Sequence, residues 1–310
     1  MPAPLTVNNK NLITKLFQKY VHNKDIRSFK KNFIYYFYYR FSRLFLNDPI
    51  KIKIGNLNLY SNHKKNKTSH SLIQKCDFFD VSEINVIKKL NNFYKIFLVD
   101  CGCNFGFYSF FTASLSKDNQ VISIEASRST LEEFNKNLTI NNFNNIKVLN
   151  KAVMDFDNKR LIFNESEKDW ESSFISKKFS VKKKIEIETI TIDKLLMGKN
   201  LDNKLIILKI DVEGTDFNVL EGAKNIIKSN KPFIIIEFSK YILKNEKFNY
   251  QYLNNFLKVY NYQILSKKGE KYTVSEILNL LDKLDNVHDT IGNYYLVSNK
   301  RKEIYQKIFY

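Results

Sequence analysis

From residue 95 onwards, short apolar runs alternate with longer amphipathic stretches. The apolar runs predict strands at 96–100, 121–125, 146–149, 185–191, 205–210, 233–238, 262–266 and 294–298. The amphipathic stretches predict helices at 106–116, 128–140, 215–229, 247–259 and 274–284. Regular alternation of strands and helices is typical of a mostly parallel sheet with helices on both faces. The pattern therefore predicts a doubly wound α/β fold.

The first ninety residues follow a different pattern. Residues 1–50 are basic and helical in character, 52–60 predict a hairpin that turns at Gly55 and Asn56, and 82–90 predict a helix capped by Ser82. We therefore expect three segments. These are an extension over 1–90, an α/β domain over 91–300 and a C-terminal tail over 301–310.

A dense aromatic run occupies residues 33–46. One interpretation is an interfacial helix that contacts a membrane peripherally. The other is a helix that packs on the α/β domain or on a second subunit of a homo-oligomer. The second is favoured, because the apolar residues do not form one clean helical face. No secretory signal and no run of about 18 apolar residues is present, so the sequence predicts a cytoplasmic location, with the inner membrane face as the alternative.

Composition changes this picture little. The formal charge of +18 comes from lysines spread along the whole chain, which favours a solvated surface over a nucleic-acid partner. The three cysteines, Cys76, Cys101 and Cys103, are too few for a disulfide framework and lack further zinc ligands. We expect them to be buried thiols.

Candidate chemistry begins at the turn after strand 96–100. Asp100, Gly102 and Gly106 lie in this turn, which opens a helix and would cradle a nucleotide in a doubly wound sheet. Dinucleotide sites have glycine where this chain has Asn104, because a pyrophosphate approaches the backbone there. A side chain at that position favours a ligand without pyrophosphate, and S-adenosylmethionine (SAM) is the leading candidate.

A second acid completes the predicted cofactor site. Glu125 ends the next strand, roughly 20 residues beyond the turn, where such folds place the carboxylate that binds ribose hydroxyls. The predicted cofactor-binding residues are Asp100, Gly102, Asn104, Gly106 and Glu125.

A charged group interrupts the apolar strand at 205–210. Lys209 and Asp211 share a face of that strand, and Glu213 joins them if the strand continues. Glu237 ends the neighbouring strand, and no histidine occupies a strand end. These four residues are the predicted catalytic group. Acids so placed can orient a hydroxyl, remove its proton, or bind Mg²⁺, for which Asp211 and Glu237 are the candidate ligands.

The sequence after this strand bears on the acceptor. Enzymes that methylate an exocyclic amine typically carry Asn/Asp-Pro-Pro-Tyr here, whereas this chain has Asp-Val-Glu-Gly at 211–214. The difference favours an oxygen acceptor.

At these residues the chain resembles the FkbM family of SAM-dependent methyltransferases. The matching segments, in the family's order, are 99–109, 124–126, 191–193, 208–214, 219–223 and 232–237. Cys103 replaces the family's usual alanine, and Ala126-Ser127 stand where proline is frequent. The resemblance implies a class I methyltransferase fold with a seven-stranded sheet whose last strand is antiparallel. It also implies O-methylation of a hydroxyl, often on a sugar or a polyketide-type product.

Three functions therefore remain open. The first is an O-methyltransferase acting on a glycan or a secondary metabolite, and the second is an RNA 2′-O-methyltransferase, favoured by the charge. The third is a scaffold that has lost its chemistry, which the several retained acids disfavour. The segment 164–180, with Trp170 and Phe174, predicts a loop near the cleft whose aromatic rings stack on a sugar or pack over the sheet.

Overall fold

The computed structural model of the chain describes residues 6–7, 50–54, 57–61, 80–166, 181–243, 249–286 and 290–310. The predicted aromatic helix at 33–46, Cys76, and the loop aromatics Trp170 and Phe174 lie outside these ranges.

Strands and helices alternate along the described chain. The strands are β1 (Thr6–Val7), β2 (Ile50–Ile54), β3 (Leu57–Ser61), β4 (Lys95–Cys101), β5 (Gln120–Glu125), β6 (Ile146–Asn150), β7 (Ala152–Val153), β8 (Arg160–Ser166), β9 (Val181–Ile190), β10 (Lys204–Ile210), β11 (Phe233–Ser239), β12 (Tyr262–Leu265), β13 (Lys271–Tyr272) and β14 (Thr290–Ser298). The helices are α1 (Val81–Asn91), α2 (Phe107–Leu115), α3 (Arg128–Asn141), α4 (Ile192–Leu196), α5 (Asp216–Glu221), α6 (Lys224–Asn230), α7 (Lys240–Leu243), α8 (Tyr250–Tyr260), α9 (Val274–Asp282) and α10 (Lys302–Phe309).

A large sheet lies at the centre of the fold. Within the described residues it has eight strands in the order β13-β12-β14-β11-β10-β4-β5-β6. Strands β6, β5, β4, β10 and β11 run parallel, and β14 is antiparallel to β11. The α/β class I methyltransferase fold is therefore confirmed, including the antiparallel last strand. The predicted count of seven is one short, because the two-residue β13 extends the edge beyond β12.

Both faces of this sheet are covered by helices. One apolar core includes side chains of α1, α2, α3 and α10, and the other includes side chains of α4, α5, α6, α8 and α9. Strands in such a sheet are buried on both faces. This explains the continuous apolar runs 96–99 and 205–208, whose residues are at most 2% exposed.

A second, small sheet contains one of the strands that were expected in the large sheet. The predicted strand 185–191 is not part of the large sheet, because β9 pairs with β7 and with β8, which was not predicted. The hairpin of β8 and β9 packs Phe163, Ile185 and Ile187 around Ala152. The apolar alternation identified a strand but not its partner.

The predicted helix 215–229 is two helices, α5 and α6, separated at Gly222. The Gly222 carbonyl accepts a hydrogen bond from the Asp193 amide, and a Cβ atom on Gly222 would lie 2.1 Å from the Met154 carbonyl oxygen. Asp193 in turn accepts hydrogen bonds from the amides of Asn225 and Ile226 at the start of α6. These contacts break the helix where the sequence shows only a continuous pattern.

The two ends of the α/β region are also ordered. The hairpin predicted at 52–60 is confirmed as β2 and β3, and β1 pairs with β2. Helix α1 begins at Val81 with Asp80, not Ser82, at the N-cap. Helix α10 lies within the expected tail, and its Ile304 and Ile308 are buried. The division into three segments stays a prediction.

Candidate active site

A pocket opens where strands β4, β5 and β10 end, as expected for a doubly wound sheet. It contains about 970 Å³ of empty space when the open solvent at its mouth is included. Its lining residues include Asp80, Asp100, Gly102, Asn104, Tyr108, Glu125, Ala126, Ala152, Val153, Phe163, Lys209, Asp211, Glu213 and Thr215. All five predicted cofactor-binding residues belong to or adjoin this pocket, because Gly106 ends the lining loop.

The loop after β4 is built on two glycines. Gly102 and Gly106 have φ angles of 75° and 95°, a region that costs little only for glycine. A Cβ atom on Gly102 would lie 1.9 Å from the Asp211 carbonyl oxygen. The amides of Gly102 and Cys103 both donate to the Ile124 carbonyl, at 2.9 and 3.1 Å. The loop is thus wedged between the ends of β5 and β10, with no room for another atom.

Asn104 adopts a left-handed conformation with φ 50°. Asparagine tolerates this region better than most residues, and its side-chain Oδ1 accepts a hydrogen bond of 2.7 Å from the Phe105 amide. The residue that distinguishes this loop from a dinucleotide site therefore supports the turn itself.

Glu125 is oriented by the backbone. Its two carboxylate oxygens accept hydrogen bonds from the amides of Asn104, at 3.0 Å, and Ser127, at 2.8 Å. A carboxylate offers about four acceptor sites, so two fixed amides set its direction. Glu125 thereby ties the loop after β4 to the start of α3.

Asp100 lies at the bottom of the pocket and is 2% exposed. Burial raises the pKa of its carboxyl to about 6, although a hydrogen bond from Ser109 and the charge of Lys209 oppose the shift. The Ser109 hydroxyl donates to Asp100 at 2.5 Å and lies 2.7 Å from the Ser123 hydroxyl. Asp100 is thus poised to ionise when a positive group approaches.

The far end of the pocket is apolar. Ala126, Ala152, Val153 and Phe163 line it, and each is at most 9% exposed. Such a surface suits a flat heterocycle. Sequence reasoning missed these residues. Phe163 lies on strand β8, which was not predicted. The sequence around an apolar residue in a short run does not show which residues it will contact.

Lys209 and Asp211 form an ion pair of 2.9 Å, with side chains 2% and 38% exposed. Burial acts to lower the pKa of Lys209, but the carboxylates of Asp211, Asp80 and Glu237 outweigh it and the pKa is raised. The Lys209 ammonium also lies 5.3 Å from the centre of the Tyr108 ring. Lys209 therefore stays charged and holds Asp211 at the pocket wall.

The loop after β10 departs from the expected geometry. Strand β10 ends at Ile210, and Glu213 has a φ of 55°. Glu213 was expected to share the face of Lys209 and Asp211 only if the strand continued, and the strand does not reach it, although Glu213 does line the pocket. The strand ends because Asp216, a residue the sequence analysis missed, accepts hydrogen bonds from the amides of Val212 and Gly214 and so closes a turn.

Two further groups mark this end of the pocket. The buried Oγ1 of Thr215, which lines the pocket, has no hydrogen-bond partner among the described residues. Burial raises the pKa of Asp216 to about 6, as does its repulsion by Asp211. A buried hydroxyl of this kind can donate a hydrogen bond to a bound water or to a ligand.

Glu237 lies behind this wall. It does not line the pocket, but burial raises its pKa to about 7, with Asp211 adding to the shift and Lys209 opposing it. Glu237 is thus electrostatically joined to the pair without facing the cavity. Among the described residues no group of three or more acidic, histidine or cysteine side chains could hold a metal ion.

Other predicted features have simpler roles. Cys101 and Cys103 are free and buried, as expected, and burial raises the pKa of both thiols. Across the described residues, no helix combines the length and apolar character needed to span a bilayer.

Sequence comparison bears directly on this arrangement. Residues 100–264 match the model of the methyltransferase FkbM domain, which is more than half of the chain. The chain belongs to the FkbM methyltransferase family. It is a SAM-dependent methyltransferase, and its pocket fits that cofactor. The fit rests on a pocket lined by the glycine-containing loop after β4, on a backbone-held Glu125 and on the orphaned hydroxyl of Thr215.

Solved structures similar to this FkbM methyltransferase include an rRNA methylase from Streptococcus thermophilus, at 11% identity and a TM-score of 0.36, covering 69% of this chain and 91% of that one. Another is TYW2 from M. jannaschii in complex with AdoMet, at 11% identity and a TM-score of 0.36, with coverage of 81% and 84%. A third is the O-methyltransferase TomG from Streptomyces achromogenes, involved in tomaymycin synthesis and solved with SAM, at 10% identity and a TM-score of 0.37, with coverage of 70% and 79%. A search of curated proteins gives no match.

Proposed function

We propose that this FkbM methyltransferase transfers a methyl group from SAM to a hydroxyl of a sugar, a glycan or a secondary metabolite. One observation carries the proposal. A single pocket joins an apolar end beside the backbone-held Glu125 to a charged end built on the ion pair of Lys209 and Asp211. The first end suits a nucleoside and the second suits a hydroxyl.

In this proposal each part of SAM would contact a different part of the pocket. Phe163 and Val153 would cover the adenine, and Glu125 would accept hydrogen bonds from the ribose hydroxyls. Asp100 and the loop at Gly102 would bind the amino-acid part, whose positive amino group favours the ionised form of Asp100. When bound, SAM supplies a methyl group on a positively charged sulfur.

The chain's own contribution is to hold and deprotonate the acceptor. Asp211 is half-exposed at the pocket wall, so its carboxylate can accept a hydrogen bond from an incoming hydroxyl and then its proton. The buried Lys209 fixes that carboxylate in direction through the 2.9 Å ion pair. The Glu237 charge helps to raise the pKa of Lys209. Alignment supplies much of the rate of a displacement reaction. We therefore expect the fixed direction of the Asp211 carboxylate to contribute to the rate of methyl transfer.

A magnesium ion held by Asp211 and Glu237 would be a different way to activate the hydroxyl. The two routes differ in one measurement. If turnover survives an excess of EDTA, proton removal by Asp211 is sufficient; if EDTA abolishes turnover and Mg²⁺ restores it, the metal route holds.

The cofactor assignment is tested by isothermal titration of the full chain with SAM and with NAD. We expect binding of SAM in the micromolar range and none of NAD. Binding of NAD without SAM would overturn the assignment. The acceptor is sought by mass spectrometry of surface glycans and small metabolites from cells with and without the gene, in which the product gains one methylene unit.

Asp211→Asn tests the proposed acceptor end. Asparagine cannot take a proton, so we expect turnover to fall at least 100-fold while SAM affinity stays within twofold. The matched control is Asp202→Asn, a change at an exposed aspartate in a surface turn, which should leave both unchanged. An Asp211→Asn variant with normal turnover would remove this residue from the reaction.

A further inference from the structure

Asp80 occupies the N-cap position of helix α1 but does not cap it. An aspartate there normally accepts a hydrogen bond from a backbone amide of the first turn. The Asp80 side chain makes no such bond, and its backbone has a left-handed φ of 56°. Few residues other than glycine adopt that conformation. The carboxylate is therefore turned away from the helix that it would ordinarily stabilise.

The Asp80 carboxylate faces the active-site pocket instead. Asp80 lines that pocket, and the Tyr108 hydroxyl donates a 2.8 Å hydrogen bond to its Oδ2. Tyr108 also lies beneath the ammonium of Lys209. Asp80 contributes to the raised pKa of Lys209, as Asp211 does. Two carboxylates thus act on one buried ammonium from within the same cavity.

Helix α1 is held firmly in this position. Ile84, Ile87 and Leu90 are buried in the core beside the large sheet. The wholly buried Glu83 forms an ion pair of 2.7 Å with Lys267, in the loop after β12. Asp80 therefore belongs to a rigid wall of the pocket.

We propose that Asp80 is a second acceptor-binding carboxylate, and that the acceptor is a sugar carrying a vicinal diol. Asp211 receives the hydroxyl that is methylated, and Asp80, which lines the same pocket, receives its neighbour. A carboxylate is an acceptor-only group, so a pair of them recognises two adjacent hydroxyls better than one. The inference rests on the proposed function and adds the acceptor class to it.

The test measures binding, which separates it from turnover. The full chain is saturated with S-adenosylhomocysteine, and the affinities of methyl pyranosides with vicinal hydroxyls are compared with those of their monodeoxy analogues by titration calorimetry. In the wild type we expect the diols to bind at least tenfold more tightly. In Asp80→Asn we expect this preference to disappear and S-adenosylhomocysteine affinity to stay within twofold. Asparagine tolerates a left-handed backbone, so the variant should fold.

Two companion variants sharpen the result. Tyr108→Phe keeps the carboxylate but removes its hydrogen-bond donor, and should weaken diol binding about threefold. Asp118→Asn, at an exposed site, should change nothing. If Asp80→Asn keeps the diol preference, or loses stability and both affinities together, Asp80 is only structural and the inference fails. If no pyranoside binds the loaded wild type, the acceptor class is wrong. Failure to bind S-adenosylhomocysteine at all would instead refute the proposed function.

Discussion

The two ends of the pocket are built from different materials. At the proposed cofactor end, backbone groups hold the site in place. The amides of Asn104 and Ser127 fix Glu125, and the Gly102 loop packs against the Asp211 carbonyl. At the proposed acceptor end, charged side chains hold the site in place, and Lys209 interacts electrostatically with the surrounding acids. We therefore expect added atoms to disturb stability and binding most at the first end, and the removal of a charge to disturb them most at the second.

The first prediction adds one atom at the cofactor end. Gly102→Ala places a Cβ atom 1.9 Å from the Asp211 carbonyl oxygen on a backbone with φ 75°. We expect the free energy of unfolding to fall by about 4 kcal/mol or more and SAM binding to be lost, measured by urea denaturation and titration calorimetry.

Gly198→Ala is the matched control. Gly198 has a similar φ of 72° but nothing within 4 Å of an added Cβ, so it should cost only about 1–2 kcal/mol of backbone strain. Equal losses in the two variants would show that the close approach at Gly102 is unimportant.

The second prediction removes one charge at the acceptor end. Lys209→Met leaves three carboxylates without their common cation, and we expect a loss of about 3 kcal/mol in stability, the lower end for buried pairs because Asp211 keeps contact with water. Lys95→Met breaks an ion pair of the same 2.9 Å length whose side chains are 60% exposed. It should cost less than about 1 kcal/mol. Urea denaturation of both variants decides whether burial or the contact itself matters.

The third prediction uses pH to test Asp100, where the two ends meet. The pKa of this carboxyl is about 6 in the folded protein and about 3.9 in an unfolded chain. Between these values the folded state binds more protons, so stability falls as the pH rises, by roughly 3 kcal/mol in total. SAM affinity should rise through the same range, because its amino group needs the ionised carboxylate.

Asp100→Asn should remove both dependences. We expect a smaller change in the free energy of unfolding between pH 4 and 7, and weak SAM binding that does not vary with pH. Denaturation and calorimetry at both pH values provide the test. A wild type whose SAM affinity is flat from pH 5 to 7 would count against a direct role for Asp100.

The smallest predicted effect lies outside both ends. Asp193→Ala removes the carboxylate that receives the amides of Asn225 and Ile226, each at 3.0 Å. We expect a loss of about 1 kcal/mol in stability and unchanged SAM affinity by the same two methods. Weakened SAM binding would show that this segment, although part of the family resemblance, reaches the pocket.

The contrast between the two ends also explains what the sequence could predict. The turn at Asp100–Gly106 and the acid at Glu125 follow from contiguous residues and one strand spacing, so the sequence could place four of the five predicted residues on the pocket lining and Gly106 beside it, while their role in cofactor binding stays a prediction. Asp80, Tyr108 and Phe163 were not predicted, because only tertiary packing brings them there.

Errors arose where long-range contacts overrode a local pattern. Glu213 was expected on the strand face of Lys209 if the strand continued, but β10 ends at Ile210 and the chain turns where Asp216 accepts a hydrogen bond from the Gly214 amide. The helix predicted at 215–229 is broken by the contact between Gly222 and Met154. The strand at 185–191 was found, yet its pairing with β8 was not. Each miss reflects a partner distant in sequence or a turn that hydrophobic periodicity does not encode.

The loop that is proposed to bind the cofactor packs directly on aromatic rings. A Cβ atom on Gly106 would lie 2.5 Å from Phe134 and 2.6 Å from Phe110, whose ring centres are 4.7 Å apart. The loop beside the pocket therefore lies directly on the apolar core. A change in the size of either ring would shift the loop, so these two positions and the pocket are expected to change together in evolution although neither ring lines the pocket.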